Sequence, residues 1–221
     1  MATTEDTGRR RIPGWLEVVL LVAFALALSV VIKTLLVQMF FVPSESMEPL
    51  FVKDDRIVVQ KVSYWTGDVQ RGDVVVFKDP GGWLGPEPPL NPAQKLMSVI
   101  GLYPTGGHLV KRVIAVGGDR VMCCDAKGRL RINDVPLNEE SYIKGGTSPS
   151  DQKFDVKVPP GRLWVMGDNR SNSEDSRFHR QLPGKGTISV DDVVGKVWAV
   201  VWPLGHFDLL KEPKTFDRAR F

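Results

Sequence analysis

The sequence predicts a mainly β domain preceded by one N-terminal transmembrane helix. Three observations carry this: a nearly unbroken apolar run from Trp15 to Val37, a series of short β-branched segments after it broken by Gly, Pro and Asp, and a length of 221 residues. That length fits one main core with a small addition, being short of two ordinary domains at roughly 150 residues each.

The first element is the anchor, expected over 15–37. Its apolar run is interrupted by Glu17, Ser29, Lys33 and Thr34, and about 20 such residues cross a bilayer. Lys33 can bring its ammonium to the head groups while its stem stays in the apolar layer. Arg9, Arg10 and Arg11 lie in the polar segment 1–14, and basic residues on that side keep it in the cytoplasm. Residues 38–221 are then expected on the outer side. A cleavable signal peptide is the alternative, since a basic start and small residues are present. Ala23, Ala25 and Ala27 lie mid-run, however, with no polar segment before a cleavage point, which favours a retained anchor. Val193 to Leu204 is too short for a second crossing and carries Lys196.

The strands follow, expected over 56–62, 73–78, 109–116, 129–132, 155–158, 163–166 and 193–202. Residues 79–108, rich in Pro and Gly, read as a long excursion loop. Residues from about 119 to 162 read as a small inserted subdomain of hairpins. Trp65 and Trp83 fit either a core or a membrane surface, where amphipathic rings favour the interface.

A formal charge of +3 with dispersed basic residues gives no basic stripe, so nucleic acid is not an expected partner. Cys123 and Cys124 are adjacent, closer across a trans peptide than an ordinary disulfide requires, so two free thiols are expected over a vicinal disulfide or a pairing elsewhere. His108, His179 and His206 have no ligand spacing among themselves, so no metal and no cofactor are expected.

Three motifs carry the chemistry. Ser46 lies in Phe-Phe-Val-Pro-Ser-Glu-Ser-Met-Glu-Pro, and Lys111 in Leu-Val-Lys-Arg-Val-Ile-Ala-Val-Gly-Gly-Asp. A lysine flanked by Leu109, Val110, Val113 and Ile114 can be desolvated until it is neutral, and a neutral amine can take a proton from a serine hydroxyl. Against this, Pro43 to Met47 could be only a turn, and Lys111-Arg112 only a solvated guard at a strand edge. The third motif, 167–177, is a polar loop after the strand Leu-Trp-Val-Met, the kind of loop on which a rigid scaffold places functional side chains.

These segments resemble the bacterial type I signal peptidases, or leader peptidases. Four stretches match in the family's order: Pro-Ser-Glu-Ser-Met-Glu-Pro-Leu at 43–50, Arg-Gly-Asp-Val-Val-Val-Phe at 71–77, Val-Lys-Arg-Val-Ile-Ala-Val-Gly-Gly-Asp at 110–119 and Gly-Asp-Asn-Arg-Ser-Asn-Ser-Glu-Asp-Ser-Arg at 167–177. The resemblance implies a signal-peptidase-like β-sheet catalytic domain that removes signal peptides from secretory preproteins. In that reading Ser46 is the nucleophile and Lys111 the general base, and Ser44 adds its hydroxyl to an oxyanion hole shared with the Ser46 backbone N–H. Ser173 orients the lysine amine, Asp175 and Arg177 form a buttressing pair, and Gly167 and Asn172 belong to the same loop. Asp175 is expected to pair with Arg177 away from the amine, since a carboxylate beside it would stabilise the ammonium.

An extended substrate would pair along Met39–Pro43 and the strand leading to Lys111 by strand addition. Phe40, Val42, Pro43, Met47, Leu109 and Val110 are the candidate substrate-binding residues, suited to small residues at positions −1 and −3. Membrane lipid and the protein-export machinery are the further partners this implies. Ser171 and the run Phe-His-Arg-Gln after Arg177 depart from the family's pattern. Three rivals remain: a self-cleaving repressor, a Ser-His-Asp hydrolase using one of the histidines, and a tethered β module without enzymatic activity.

Overall fold

The computed structural model describes residues 13–62, 64, 67–85, 91 and 107–219. The chain divides into two compact units, Met1–Val37 and Gln38–Phe221.

In the first unit, α1 (Gly14–Leu35) opens at Pro13, whose carbonyl accepts from the Leu16 and Glu17 amides. Its side chains are described as far as Ser29, and Trp15, Val18 to Val22, Phe24, Leu26 and Leu28 are all exposed. Among the described residues, no helix is long and apolar enough to cross a membrane.

The second unit is mainly β. Its strands are β1 (Val37–Phe41), β2 (Arg56–Gln60), β3 (Val74–Lys78), β4 (His108–Val116), β5 (Arg120–Cys123), β6 (Arg131–Ile132), β7 (Val135–Pro136), β8 (Phe154–Lys157), β9 (Arg162–Met166), β10 (Ile188–Ser189), β11 (Val193–Trp202) and β12 (Asp208–Leu209). Eight of them form one sheet in the order β1-β2-β11-β3-β4-β9-β10, with β12 paired to β11. The others form a four-stranded sheet in the order β7-β6-β5-β8. Pairings from β2 onward are antiparallel, which suits short strands with one solvated face.

The apolar residues sort onto these sheets in separate clusters. Val42, Met47, Phe51, Ile57, Val59, Val74, Val76, Val197 and Val200 pack together on the large sheet. Ile114, Trp164, Leu130, Ile132, Leu137 and Phe216 join the small sheet to β4 and β9. Trp83 is buried with Val75, Phe77 and Val113 in a third cluster, so of its two expected settings it takes the core. Trp65 and most of the 79–108 excursion lie outside the described residues.

One expectation needs correction. Cys123 and Cys124 are joined by a vicinal disulfide, their alpha carbons 3.0 Å apart because the peptide between them is cis and not trans. Over the stretch expected as the anchor, the helix runs Gly14–Leu35 and Val37 begins β1.

One asymmetry in pairing matters for the site. β3 pairs with β4 along His108–Arg112, whereas β9 joins β4 only from Arg112 onward. Among the described residues, the stretch of β4 ending at Lys111 is therefore paired on one side alone.

Candidate active site

The site is assembled from three segments. Ser46 sits in the turn after β1, Lys111 on β4, and the loop 167–177 leaves the end of β9 and folds over both. Lys111 Nζ lies 2.6 Å from Ser46 Oγ, across 65 residues of sequence, in a buried contact. As an ammonium the lysine donates in this pair; as a neutral amine it accepts the serine proton.

Lys111 is only 4% exposed. Burial lowers its pKa from 10.5 to about 8, against the pull of Asp175 and Asp168, which favour the charged form. That pull is moderated because both carboxylates are engaged by guanidinium groups. Arg177 Nε donates to Asp175 Oδ1 at 2.8 Å and Arg177 Nη2 to Asp175 Oδ2 at 2.9 Å. Arg112 grips Asp168 in the same two-pronged way, at 2.8 and 2.6 Å.

Ser44 Oγ lies 3.2 Å from Ser46 Oγ on the exposed side of the turn. Gly167 supplies close approach: a methyl group there would run into Ser173 and the Ser46 carbonyl oxygen. Its N–H donates to Asp175 Oδ2 at 3.1 Å. Asn172 Nδ2 donates to Glu45 Oε2 at 3.3 Å.

Ser173 departs from the role expected of it. Its hydroxyl donates to Asp175 Oδ2 at 2.9 Å, because a carboxylate is a stronger acceptor than an amine already facing a serine. Among the described residues the hydrogen bond of Lys111 Nζ goes to Ser46. Two of the substrate-binding candidates also move: Met47 is 0% exposed and Val42 1%, so both side chains are spent on the core. Phe40, Leu109 and Val110 remain half-buried and Pro43 exposed.

The histidines stand elsewhere. His206 Nδ1 pairs with Asp55 at 3.0 Å, His179 Nδ1 with the Asp175 carbonyl at 2.9 Å, and His108 packs against the Phe40 ring. Ser46 Oγ has Lys111 and Ser44 as its neighbours instead. Among the described residues no group of His, Cys, Asp and Glu could hold a metal ion.

Sequence reasoning missed three contributors: Asp168 as the partner of Arg112, Asn169, which hydrogen-bonds the turn of Ser46, and Arg170. Arg170 donates to Glu139 at 2.7 Å and to the Gly167 carbonyl at 2.9 Å, all buried. The density of polar residues in 167–177 was the available signal, but it does not name partners lying 56 or 124 residues away.

Residues 15–202 match the family model described as signal peptidase, peptidase S26. A probable signal peptidase I of Mycobacterium leprae is 38% identical, over 88% of this chain and 78% of its own length. Signal peptidase I of Mycobacterium tuberculosis is also 38% identical, over 88% and 75%, and signal peptidase I U of Bacillus subtilis 33% identical, over 86% and 88%. A solved signal peptidase I of Enterococcus faecalis aligns with a TM-score of 0.38 at 23% identity, over 59% of this chain and 97% of the other. The family match spans every segment of the site from the turn of Ser46 to the end of β11, and on it the chain belongs to the signal peptidase family, peptidase S26.

Proposed function

We propose that the protein is a signal peptidase I, a serine endopeptidase that removes N-terminal signal peptides from exported preproteins with Ser46 as nucleophile and Lys111 as general base. The observation that carries this reading is the 2.6 Å contact between a buried lysine of lowered pKa and a serine hydroxyl. Neutral Lys111 takes the Ser46 proton as Oγ attacks the scissile carbonyl. The oxyanion then lies between the Ser46 N–H and the Ser44 hydroxyl. The Lys111 ammonium returns its proton to the leaving amine, which breaks the peptide bond and leaves an acyl-enzyme. A water that loses its proton to Lys111 then hydrolyses the ester.

The substrate enters as an extended strand along β1 and the side of β4 at His108–Lys111 that faces away from β3, the strand with which this stretch pairs among the described residues. Phe40, Leu109 and Val110 border it, in keeping with small residues at −1 and −3. Asp175, Arg177, Gly167, Asn172 and Ser173 hold the loop that covers the dyad.

The same reading places the protein in the cell (cytoplasmic) membrane, crossing once over 15–37, with 1–14 inside and 38–221 on the outer side. It is supported by the apolar run, by Arg9 to Arg11 and by the exposed apolar side chains of α1. The hairpin of β11 and β12 adds Trp198, Trp202, Leu204, Phe207 and Leu209, all exposed, as a second surface suited to lipid. Cleavage of a preprotein by the detergent-solubilised chain, with sequencing of the new N-terminus, tests the activity. Ser46→Ala and Lys111→Ala should each abolish it, and alanine at His108, His179 or His206 should not. A folded histidine variant as inactive as Ser46→Ala would replace the dyad with a triad.

A further inference from the structure

The turn that carries Ser46 is gripped from outside by one buried side chain. Asn169 is 1% exposed; its backbone N–H donates to the Ser46 carbonyl oxygen at 3.1 Å, and its Nδ2 to the Glu45 carbonyl oxygen at 3.0 Å. The Glu45 carbonyl and the Ser46 N–H belong to the same trans peptide unit. Such a unit is planar, so its C=O and N–H point in opposite directions and fixing one aims the other. Among the described residues the Ser46 N–H has no hydrogen-bond partner, so it is free to donate to an incoming oxygen.

Resting on Ser46 as the nucleophile, we infer that Asn169 is the positioning residue of the oxyanion hole: by holding the Glu45 carbonyl it sets the direction of the Ser46 N–H. The other bonds at this peptide cannot do so. The Glu48 N–H also donates to the Glu45 carbonyl, at 3.1 Å, but it belongs to the same turn and moves with it. Asn172 holds the exposed carboxylate of Glu45 and not its peptide plane. Asn169 is itself held in place. Its Oδ1 accepts from Ser171 Oγ at 3.3 Å, and it lies between Asp168, bound by Arg112, and Arg170, bound to Glu139, both in buried ion pairs. A donor backed by rigid neighbours is what a preorganised hole requires.

The test compares wild type with Asn169→Ala and Asn169→Ser, both of which keep the backbone bond to Ser46 and lose the bond to Glu45. The probe is a peptide aldehyde, to which Ser46 Oγ adds while the carbonyl oxygen takes up the negative charge in the hole and Lys111 takes the proton. Both variants should lose kcat by about 10²-fold, the scale of a small misplacement of reacting groups, with KM changed little. The aldehyde's KI should rise by the same factor, and the ascending limb of the pH profile should stay where wild type has it, because Lys111 is untouched. Unchanged kcat and aldehyde affinity in either folded variant would overturn the inference, as would a displaced pH limb with aldehyde affinity intact. Should the alanine variant fail to fold, the serine variant carries the test. A wild-type protein that neither cleaves the substrate nor binds the aldehyde would overturn the Ser46 reading itself, whereas an active wild type with unaffected variants removes only the role of Asn169.

Discussion

Raising the pH from 7 to 9 should increase kcat/KM about tenfold if Lys111 titrates near its lowered value of about 8. At pH 7 a lysine of that pKa is about 9% neutral and at pH 9 about 91% neutral, and only the neutral amine can accept the Ser46 proton. A lysine at its ordinary 10.5 would be about 0.03% neutral at pH 7 and about 3% at pH 9, a rise of about a hundredfold with no plateau in sight. The two cases differ in shape as well as size, since the buried lysine bends toward a plateau inside the window. The assay is initial-rate cleavage of an uncharged-side-chain peptide in detergent, with a thermal melt at each pH to exclude unfolding. A limb that rises without bending to pH 9 would show the amine to be solvated, and one centred near pH 6.5 that vanished in a histidine variant would move the proton transfer to imidazole.

Three further outcomes follow from the same geometry. Ser44→Ala should lower kcat about 10² to 10³-fold with KM nearly unchanged, the cost of one oxyanion donor, and Ser44→Thr should retain more; a full-rate alanine variant would reduce Ser44 to a turn residue. Lys111→Met should abolish cleavage yet stabilise the fold at pH 7 by on the order of 3 kcal/mol, as read by urea denaturation. The unfolded chain binds more protons than the folded one between pH about 8 and 10.5, so wild-type stability climbs through that window and the advantage of methionine should fade there. Arg112→Met should cost about 3 to 5 kcal/mol by leaving a buried carboxylate uncompensated, and adding Asp168→Leu should recover part of it; a loss under about 1 kcal/mol would mean the pair contributes little.

The sequence was informative where local pattern decides the outcome. β4 and β11 are long β-branched runs, and they emerge within a residue of where the pattern puts them. β5 lies in the stretch of about 119–162 that the sequence marks only as hairpins without separate strand bounds, and β7, β10 and β12, two residues each, are too short to leave a periodic signal. Ser46 and Lys111 stood out through their neighbours, but their contact joins residues no local pattern connects. The destination of Ser173's proton depends on where Asp175 lies, and the burial of Met47 on how the turn docks on the large sheet. Such features are decided by packing between distant segments, so they become visible only with the fold.

The order in which the site's parts occur along the chain has a consequence for when the enzyme becomes dangerous. Ser46 belongs to the first turn after β1, Lys111 lies 65 residues later, and the Asn169 grip on the Glu45 carbonyl spans 124 residues. Contacts of such separation form only once the entropic cost of closing long loops has been met. On the Ser46–Lys111 reading, a chain in which these segments have not yet met has a serine that is an ordinary alcohol and a lysine that is an ordinary solvated ammonium. On that reading, proteolytic competence waits on the joining of segments 65 and 124 residues apart, and a chain short of that point is unarmed toward itself and its neighbours.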